Sequence, residues 1–109
     1  MREILFRGKR VDNNEWVYGY LRSYDEINNY YVDKKTVGQF TGLLDCKGNR
    51  IFEGDILYSE PDESQEVFFI NGSFAIKSSL TQEALFLHNR NLSYYEVSGN
   101  IHQSLTPNK

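Results

Sequence analysis

The residues with the most evident chemistry lie near the amino terminus, where basic side chains precede regularly spaced aromatic rings. The candidate interaction residues are Arg7, Lys9, Arg10, Trp16, Tyr18 and Tyr20. Basic groups contact phosphates and aromatic rings stack on bases, so this combination is typical of surfaces that bind single-stranded nucleic acid. The chain nevertheless carries a net charge of −3, whereas nucleic-acid-binding domains are usually basic. An aromatic stripe on paired strands is more often part of a core or a subunit interface, and both interpretations stay open.

Two carboxylates stand close enough in the sequence to act together. Glu53 and Asp55 are two residues apart, so a regular strand would direct both to one side, as a divalent-ion site or an acid–base pair requires. Gly54 between them interrupts that alternation. Short Glu-Gly-Asp sequences are common at strand entrances, where the aspartate accepts backbone N–H groups. We therefore expect Asp55 to have a structural role rather than a catalytic one.

The remaining reactive residue types are few. The chain has two histidines, His88 and His102, and one cysteine, Cys46, which falls short of the clusters that structural zinc sites use. Cys46 lies in a polar run, where a catalytic thiolate would lack a nearby base and a shielded pocket. The glycines lie among predicted strands rather than before a helix, so no phosphate-binding loop is indicated. The sequence thus predicts no catalytic residue, no cofactor, no metal and no enzymatic activity.

The size and composition of the chain indicate one globular domain. Its 109 residues suffice for a single core, and 39% hydrophobic with 25% charged residues is an ordinary globular balance. A single cysteine cannot form an internal disulfide, and the amino terminus has no signal-peptide pattern. No apolar run approaches the roughly 20 residues of a membrane helix. We therefore expect a cytoplasmic protein without a membrane segment.

Aromatic residues are numerous enough to suggest self-association. Eight tyrosines, seven phenylalanines and one tryptophan make up 15% of the chain, and such residues favour half-buried pleated surfaces over helices. These large side chains exceed the needs of a small core, so we expect some at the surface of a homo-oligomer. Residues 1–10 are mainly basic and residues 53–66 are acidic, so they either orient that contact or are simply solvated.

The clearest structural element is a β-hairpin at Asn71-Gly72, a dipeptide that favours a two-residue type I′ turn. That turn pairs residues 66–70 with residues 73–77 and sorts their side chains onto two faces. The predicted core face consists of Val67, Phe69, Phe74 and Ile76. Phe68 belongs to the opposite face, where we expect it to contribute less to stability.

The other elements are predicted by alternation, turn residues and one helical pattern. Residues 3–9, 16–21 and 27–32 alternate like strands and form an N-terminal antiparallel meander. Ser79 is placed to cap a short helix near residues 80–88, because Leu80, Ala84 and Leu87 recur at helical spacing. Residues 94–98 read as a closing strand. The predicted fold class is all-β or β-rich α+β.

Three sequence blocks resemble one protein family. They are MREILFR at residues 1–7; TVGQFTGL at 36–43 with Asp45, Gly48 and IFEGDI at 51–56; and NGSF at 71–74 with EVSGNI at 96–101. In this order they are similar to the YopX family, whose members are mostly encoded in phage and prophage genomes. The resemblance implies a mostly β fold that contains a small barrel. Together with the length of the chain and the predicted meander, it indicates a single domain over residues 1–109, with the meander at 1–35 and a part at 36–105 that contains a small, partly open Src-homology-3-like barrel from about residue 50.

The resemblance also sets the functional expectation. The family has no established reaction, so it contributes no catalytic or binding residues; this chain departs from its pattern at Gly8 and Cys46. We expect a phage- or prophage-encoded, non-enzymatic binding or assembly module in the bacterial cytoplasm. Its partner would be a second copy or an unidentified host or phage protein. A nucleic-acid-binding accessory protein is the alternative, and an enzyme is the third possibility.

Overall fold

The computed structural model describes residues 4–60, 63–77, 84–89 and 92–102, and these are mostly strands and turns. The strands are β1 (Phe6–Lys9), β2 (Trp16–Gly19), β3 (Leu21–Ser23), β4 (Glu26–Ile27), β5 (Tyr30–Tyr31), β6 (Gly38–Leu44), β7 (Arg50–Phe52), β8 (Asp55–Ser59), β9 (Glu63–Ile70), β10 (Ser73–Lys77), β11 (Ala84–Phe86) and β12 (Glu96–Asn100). Three-residue 3-10 turns are present at Lys34–Thr36, Leu87–Asn89 and Leu92–Tyr94. The β-rich class is confirmed. The described residues include no helix of the length and apolarity that crossing a bilayer requires.

The strands form three antiparallel sheets. One has the order β2-β1-β6-β7, the second β11-β10-β9-β8-β12, and the third β3-β4-β5. The five-stranded sheet occupies the region in which we expected the Src-homology-3-like barrel. In the described residues it is an open sheet, and none of the three sheets closes into a barrel.

The N-terminal strands are antiparallel as predicted, but they belong to two sheets. β1 and β2 form the expected hairpin, and β6 lies on the other side of β1. The third predicted strand, over residues 27–32, is divided instead. Asn28 and Asn29 both have positive φ, 51° and 70°, and make a two-residue turn between β4 and β5. Arg10 and Val32 form the isolated bridge that links this small sheet to the hairpin.

The hairpin at Asn71-Gly72 has the predicted turn and register. Both turn residues have positive φ, 52° and 78°, and Phe69 lies opposite Phe74 as expected. The core assignment holds for Val67, Phe74 and Ile76, which are buried, but it is wrong for Phe69, which is 50% exposed. Only Ile70 separates Phe69 from the turn. The Phe69 ring contacts the Phe74 ring edge-on, with 5.0 Å between the ring centroids.

The core lies between the four-stranded and five-stranded sheets. Its buried members are Ile51, Leu57, Val67, Phe74, Ile76, Leu87 and Tyr95. Ile51 belongs to β7, whereas most of the others belong to the five-stranded sheet or to the segments around it. The two sheets therefore share one apolar layer.

The short helix that we predicted near residues 80–88 is wrong for the residues that the structure describes there. Residues 80–83 lie outside that part. Ala84–Phe86 is a strand, β11, which pairs with β10 and is followed by the 3-10 turn at Leu87–Asn89. Within β11, Leu85 packs against the core between the exposed Ala84 and Phe86, which is the period of two of a strand. Leu87, in the turn that follows, is fully buried. Pairing with the available edge of β10 overrides the local helical spacing.

Candidate functional site

The β1–β2 hairpin aligns basic residues of one strand with aromatic residues of the other. Arg7 lies opposite Tyr18, and Lys9 lies opposite Trp16. Residues two apart on a strand share a face, so the predicted common face is present for Trp16 and Tyr18. Tyr20 follows the end of β2 and is 77% exposed. Four of the six candidate residues, Arg7, Lys9, Trp16 and Tyr18, therefore lie together in this hairpin.

Arg7 is the centre of this group, although it is only 6% exposed. Its guanidinium carbon lies 4.6 Å from the ring centroid of Trp16 and 4.8 Å from that of Phe52. Its Nη2 donates to Oδ1 of Asp55 over 2.7 Å. Cation–π contacts on two rings and a charge-assisted hydrogen bond hold the guanidinium in one orientation.

Asp55 is the carboxylate partner, and it is 1% exposed. Its Oδ2 accepts the backbone N–H of Phe52 over 2.7 Å, which is the structural role predicted from the sequence. Burial raises the pKa of the Asp55 carboxyl, while Arg7 and the Phe52 N–H act in the opposite direction. The ion pair with Arg7 was not predicted. The opposite charges of residues 1–10 and 53–66 were the sequence feature that could have indicated this pair. In the structure Arg7 and Asp55 join these two segments within one chain.

Gly38 allows the strands around this ion pair to approach each other. It pairs with Arg7 in the β1–β6 register. A Cβ atom at this position would lie 2.6 Å from the backbone oxygen of Glu53, a contact too short for any side chain. Glu53 in turn donates its N–H to the Gln39 oxygen over 2.9 Å. The turn that precedes Asp55 is thus held directly against β6.

The other basic candidates are also engaged within the chain. Lys9 is buried, and its ammonium lies 5.5 Å from the Trp16 ring. Arg10 binds the Asp12 carboxylate through Nε at 2.9 Å and Nη2 at 2.6 Å, and its guanidinium lies 4.1 Å from the ring centroid of Tyr30. Burial, followed by the charges of Arg7 and Lys9, lowers the pKa of His102, whose ring lies beside Trp16.

A cleft of about 630 Å³ opens beside Arg7, between the edge strands β7 and β12. Its lining residues are Leu5, Arg7, Tyr18, Gly48, Asn49, Arg50, Phe52, Asp55, Val97, Ser98, Gly99 and Asn100. Backbone bonds bridge both ends of the gap. Cys46 donates its N–H to the Tyr95 oxygen at one end, and Ile101 donates to the Gly54 oxygen at the other, each over 2.9 Å. The gap is therefore a bounded pocket rather than a continuous groove.

Asp45 secures the first of these ends. Its carboxylate accepts the backbone N–H groups of Lys47, Asn49 and Val97 at 2.8 to 2.9 Å and the Asn49 side-chain amide at 3.2 Å. Burial alone would raise the pKa of Asp45, but these donors lower it below its ordinary value. Cys46 beside it is exposed.

Comparison with known proteins agrees with the three sequence blocks. The family model described as YopX protein matches residues 6–106. The chain belongs to the YopX family. No curated protein matches the chain. The matched range of this YopX-family chain includes Arg7, Asp55 and both edges of the cleft.

The YopX-family chain also exposes a run of tyrosines that we call the tyrosine segment, residues 18–31. Its members are Tyr18, Tyr20, Tyr24, Tyr30 and Tyr31, whose exposed fractions range from 40% to 77%. The expectation that part of the aromatic surplus lies at the surface is thus correct. In the described residues no group of three His, Cys, Asp or Glu side chains is placed to hold a metal ion.

Proposed function

We propose that this YopX-family chain is a non-enzymatic binding or assembly module, encoded by a phage or prophage and acting in the bacterial cytoplasm. The observation that supports this proposal is the exposure of the tyrosine segment. Its partner is a second copy of the chain or a host or phage protein. Binding uses the surface around Tyr20, Tyr24 and Tyr31, each more than 60% exposed.

Tyrosine is suited to this role for a physical reason. Its ring buries a large apolar area, its hydroxyl stays hydrogen-bonded, and it has few rotatable bonds to restrict on binding. Five exposed rings within residues 18–31 are a composition that resembles a protein interface more than an ordinary surface. In the described residues the short strand β3 also leaves one edge of its sheet available for a partner strand.

A second candidate function is nucleic-acid binding, and two cation–aromatic pairs favour it. Arg10 lies over Tyr30 at 4.1 Å, and the Lys34 ammonium lies 5.5 Å from the Tyr24 ring. Such pairs combine phosphate contact with stacking. This candidate ranks second because Arg7 and Lys9 are buried and Arg10 is already bonded to Asp12.

An enzymatic function ranks third. Asp55 is the one carboxylate among the described residues that line the cleft, and it is bonded to Arg7 and to the Phe52 N–H. A general base or acid needs to exchange its proton with a substrate, and this carboxylate is committed to the fold.

Sedimentation equilibrium at micromolar concentration tests self-association. We expect a mass above the 12.8 kDa of one chain, and we expect Tyr20→Ser combined with Tyr31→Ser to reduce it to that value. Tyr94→Ser is the matched control, since Tyr94 is 71% exposed but lies outside the tyrosine segment. A wild-type mass of one chain at both low and high salt would exclude the homo-oligomer.

Fluorescence anisotropy with a labelled single-stranded oligonucleotide separates the two leading candidates. The nucleic-acid function requires binding that weakens as salt rises and that is lost in Arg10→Gln. Anisotropy that stays at the value of the free oligonucleotide supports the protein-binding module.

A further inference from the structure

One end of the cleft is closed where the chain leaves β12 and reaches the turn between β7 and β8. Ile101 donates its N–H to the Gly54 oxygen over 2.9 Å. The next residue, His102, donates its N–H to Oδ1 of Asn100, also over 2.9 Å. These two bonds fix the backbone after β12, and they determine where the His102 side chain lies.

The His102 ring is partly buried and contacts two separate parts of the fold. Its centroid lies 6.0 Å from that of the Trp16 ring on β2. Its Nε2 lies close to Gly54, where a Cβ atom would be 3.8 Å away, an ordinary contact distance. The ring therefore packs against both the β1–β2 hairpin and the turn before β8, at the same end of the cleft as the bond from Ile101 to Gly54.

The charged groups that face this ring are mainly positive. Arg7 and Lys9 on β1 both lie over the Trp16 ring, at 4.6 and 5.5 Å from its centroid. Each is also engaged elsewhere in the chain, yet both oppose a positive charge on His102. Asp33, which caps a 3-10 turn, acts in the opposite direction as the smallest contribution.

The turn before β8 also has two carboxylates, one on each side of Gly54. Asp55 is bonded to Arg7 over 2.7 Å, and Glu53 lies against Gly38 of β6. Burial, followed by the charges on β1, therefore lowers the pKa of His102. A neutral imidazole suits this position, and an imidazolium does not.

We propose that His102 is a pH-sensitive latch that closes this end of the cleft. With a neutral ring the latch is closed, and Ile101 is bonded to Gly54. Protonation places a third cation at Trp16 in partly buried surroundings, so the ring leaves its position and the bond from Ile101 breaks. The gap between β7 and β12 then opens at one end. The latch does not involve the tyrosine segment.

The direction of the pH dependence follows from proton linkage. The closed state has the lowered pKa, whereas a released His102 in water has the ordinary value of 6.5. The open state therefore binds the proton more tightly, and acid favours it. Closure is fully stabilised above the ordinary value and is lost as the pH falls through the lowered one.

Nuclear magnetic resonance of the ¹⁵N-labelled chain, over a pH series from neutral to acid, tests the latch. We expect the ring protons of His102 to titrate with a midpoint below 6.5, and the Ile101 amide to lose its protection from hydrogen exchange through the same midpoint. The Gly54 amide, which donates to the Val67 oxygen over 2.8 Å, should stay protected and show that the fold is intact. Fluorescence of Trp16, the one tryptophan of the sequence, should change in parallel.

Three variants connect these changes to the charge of His102. His102→Gln cannot be protonated and should abolish the pH dependence of both the amide and the fluorescence. His88→Gln should retain it, because His88 is the other histidine of the sequence, is exposed and stacks on Phe86. Lys9→Met removes one cation that faces the ring, so it should shift the midpoint upward.

Three results would overturn the proposal. The first is an Ile101 amide that stays protected while His102 titrates. The second is a fluorescence change that persists in His102→Gln, because another group would then cause it. The third is a Lys9→Met midpoint at or below that of the wild type, because the cations on β1 would then not oppose protonation of the ring.

Discussion

Replacement of Asp45 tests how the end of the cleft is held. Its carboxylate accepts four hydrogen bonds, and the bond from Val97 joins β12 to a turn 52 residues earlier in the chain. A hydrogen bond to a charged group contributes about 1.5–3 kcal/mol. Lys47 and Asn49 are exposed and exchange their bonds for water, so the half-buried Val97 N–H dominates the loss. Asp45→Ala should therefore lower the free energy of unfolding by about 2–4 kcal/mol.

The pH dependence gives a second and sharper measurement. The pKa of Asp45 is lowered in the folded protein, so its charge stabilises the fold above its ordinary pKa of about 4. That contribution is lost as the pH falls through the lower folded value. Urea denaturation followed by Trp16 fluorescence, at pH 7 and at pH values below 4, measures it.

Asp45→Asn is the matched control, because it keeps one acceptor oxygen but never ionises. Its deficit in the free energy of unfolding relative to wild type should be largest at neutral pH and should shrink in acid. A deficit that is equal at both pH values would show that the charge of Asp45 does not matter. An Asp45→Ala cost below about 0.5 kcal/mol, the size of an ordinary surface effect, would refute the whole argument.

Three further substitutions test the hairpin and the close approach of β6, each by urea denaturation. Phe74→Ala should cost about 3–5 kcal/mol, and Phe69→Ala less than half of that, because Phe69 is half exposed; the reverse order would contradict the burial. Gly72→Val should cost about 1–3 kcal/mol because φ is 78°. Gly72→Asn, which tolerates that φ, should cost less, and equal costs would count against backbone strain. Gly38→Ala should lower the free energy of unfolding by about 1–3 kcal/mol, because the added methyl group would press against the Glu53 oxygen. An unchanged free energy of unfolding would show that β6 can move away.

Local chemistry explains the parts that could be predicted from the sequence. The turn preference of Asn71-Gly72 and the alternation on both sides of it determine the register of that hairpin within a dozen residues. The same alternation places Trp16 and Tyr18 on one face. The acceptance of a backbone N–H by Asp55 follows from the turn that it ends. Each of these features depends on residues that are close together in the chain.

Tertiary structure decided the rest, because burial depends on which sheet packs against which. The sequence around Arg7 is typical of an exposed basic segment, yet Arg7 is buried against Asp55, 48 residues away. Phe69 has the pattern of a core residue, but the shared apolar layer does not cover it and it remains half exposed. Ala84–Phe86 becomes a strand because an edge of β10 is there to pair with. The candidate cleft exists because β7 and β12, which are distant in sequence, are neighbouring edge strands, with backbone bonds from Cys46 to Tyr95 and from Ile101 to Gly54 at the two ends of the gap.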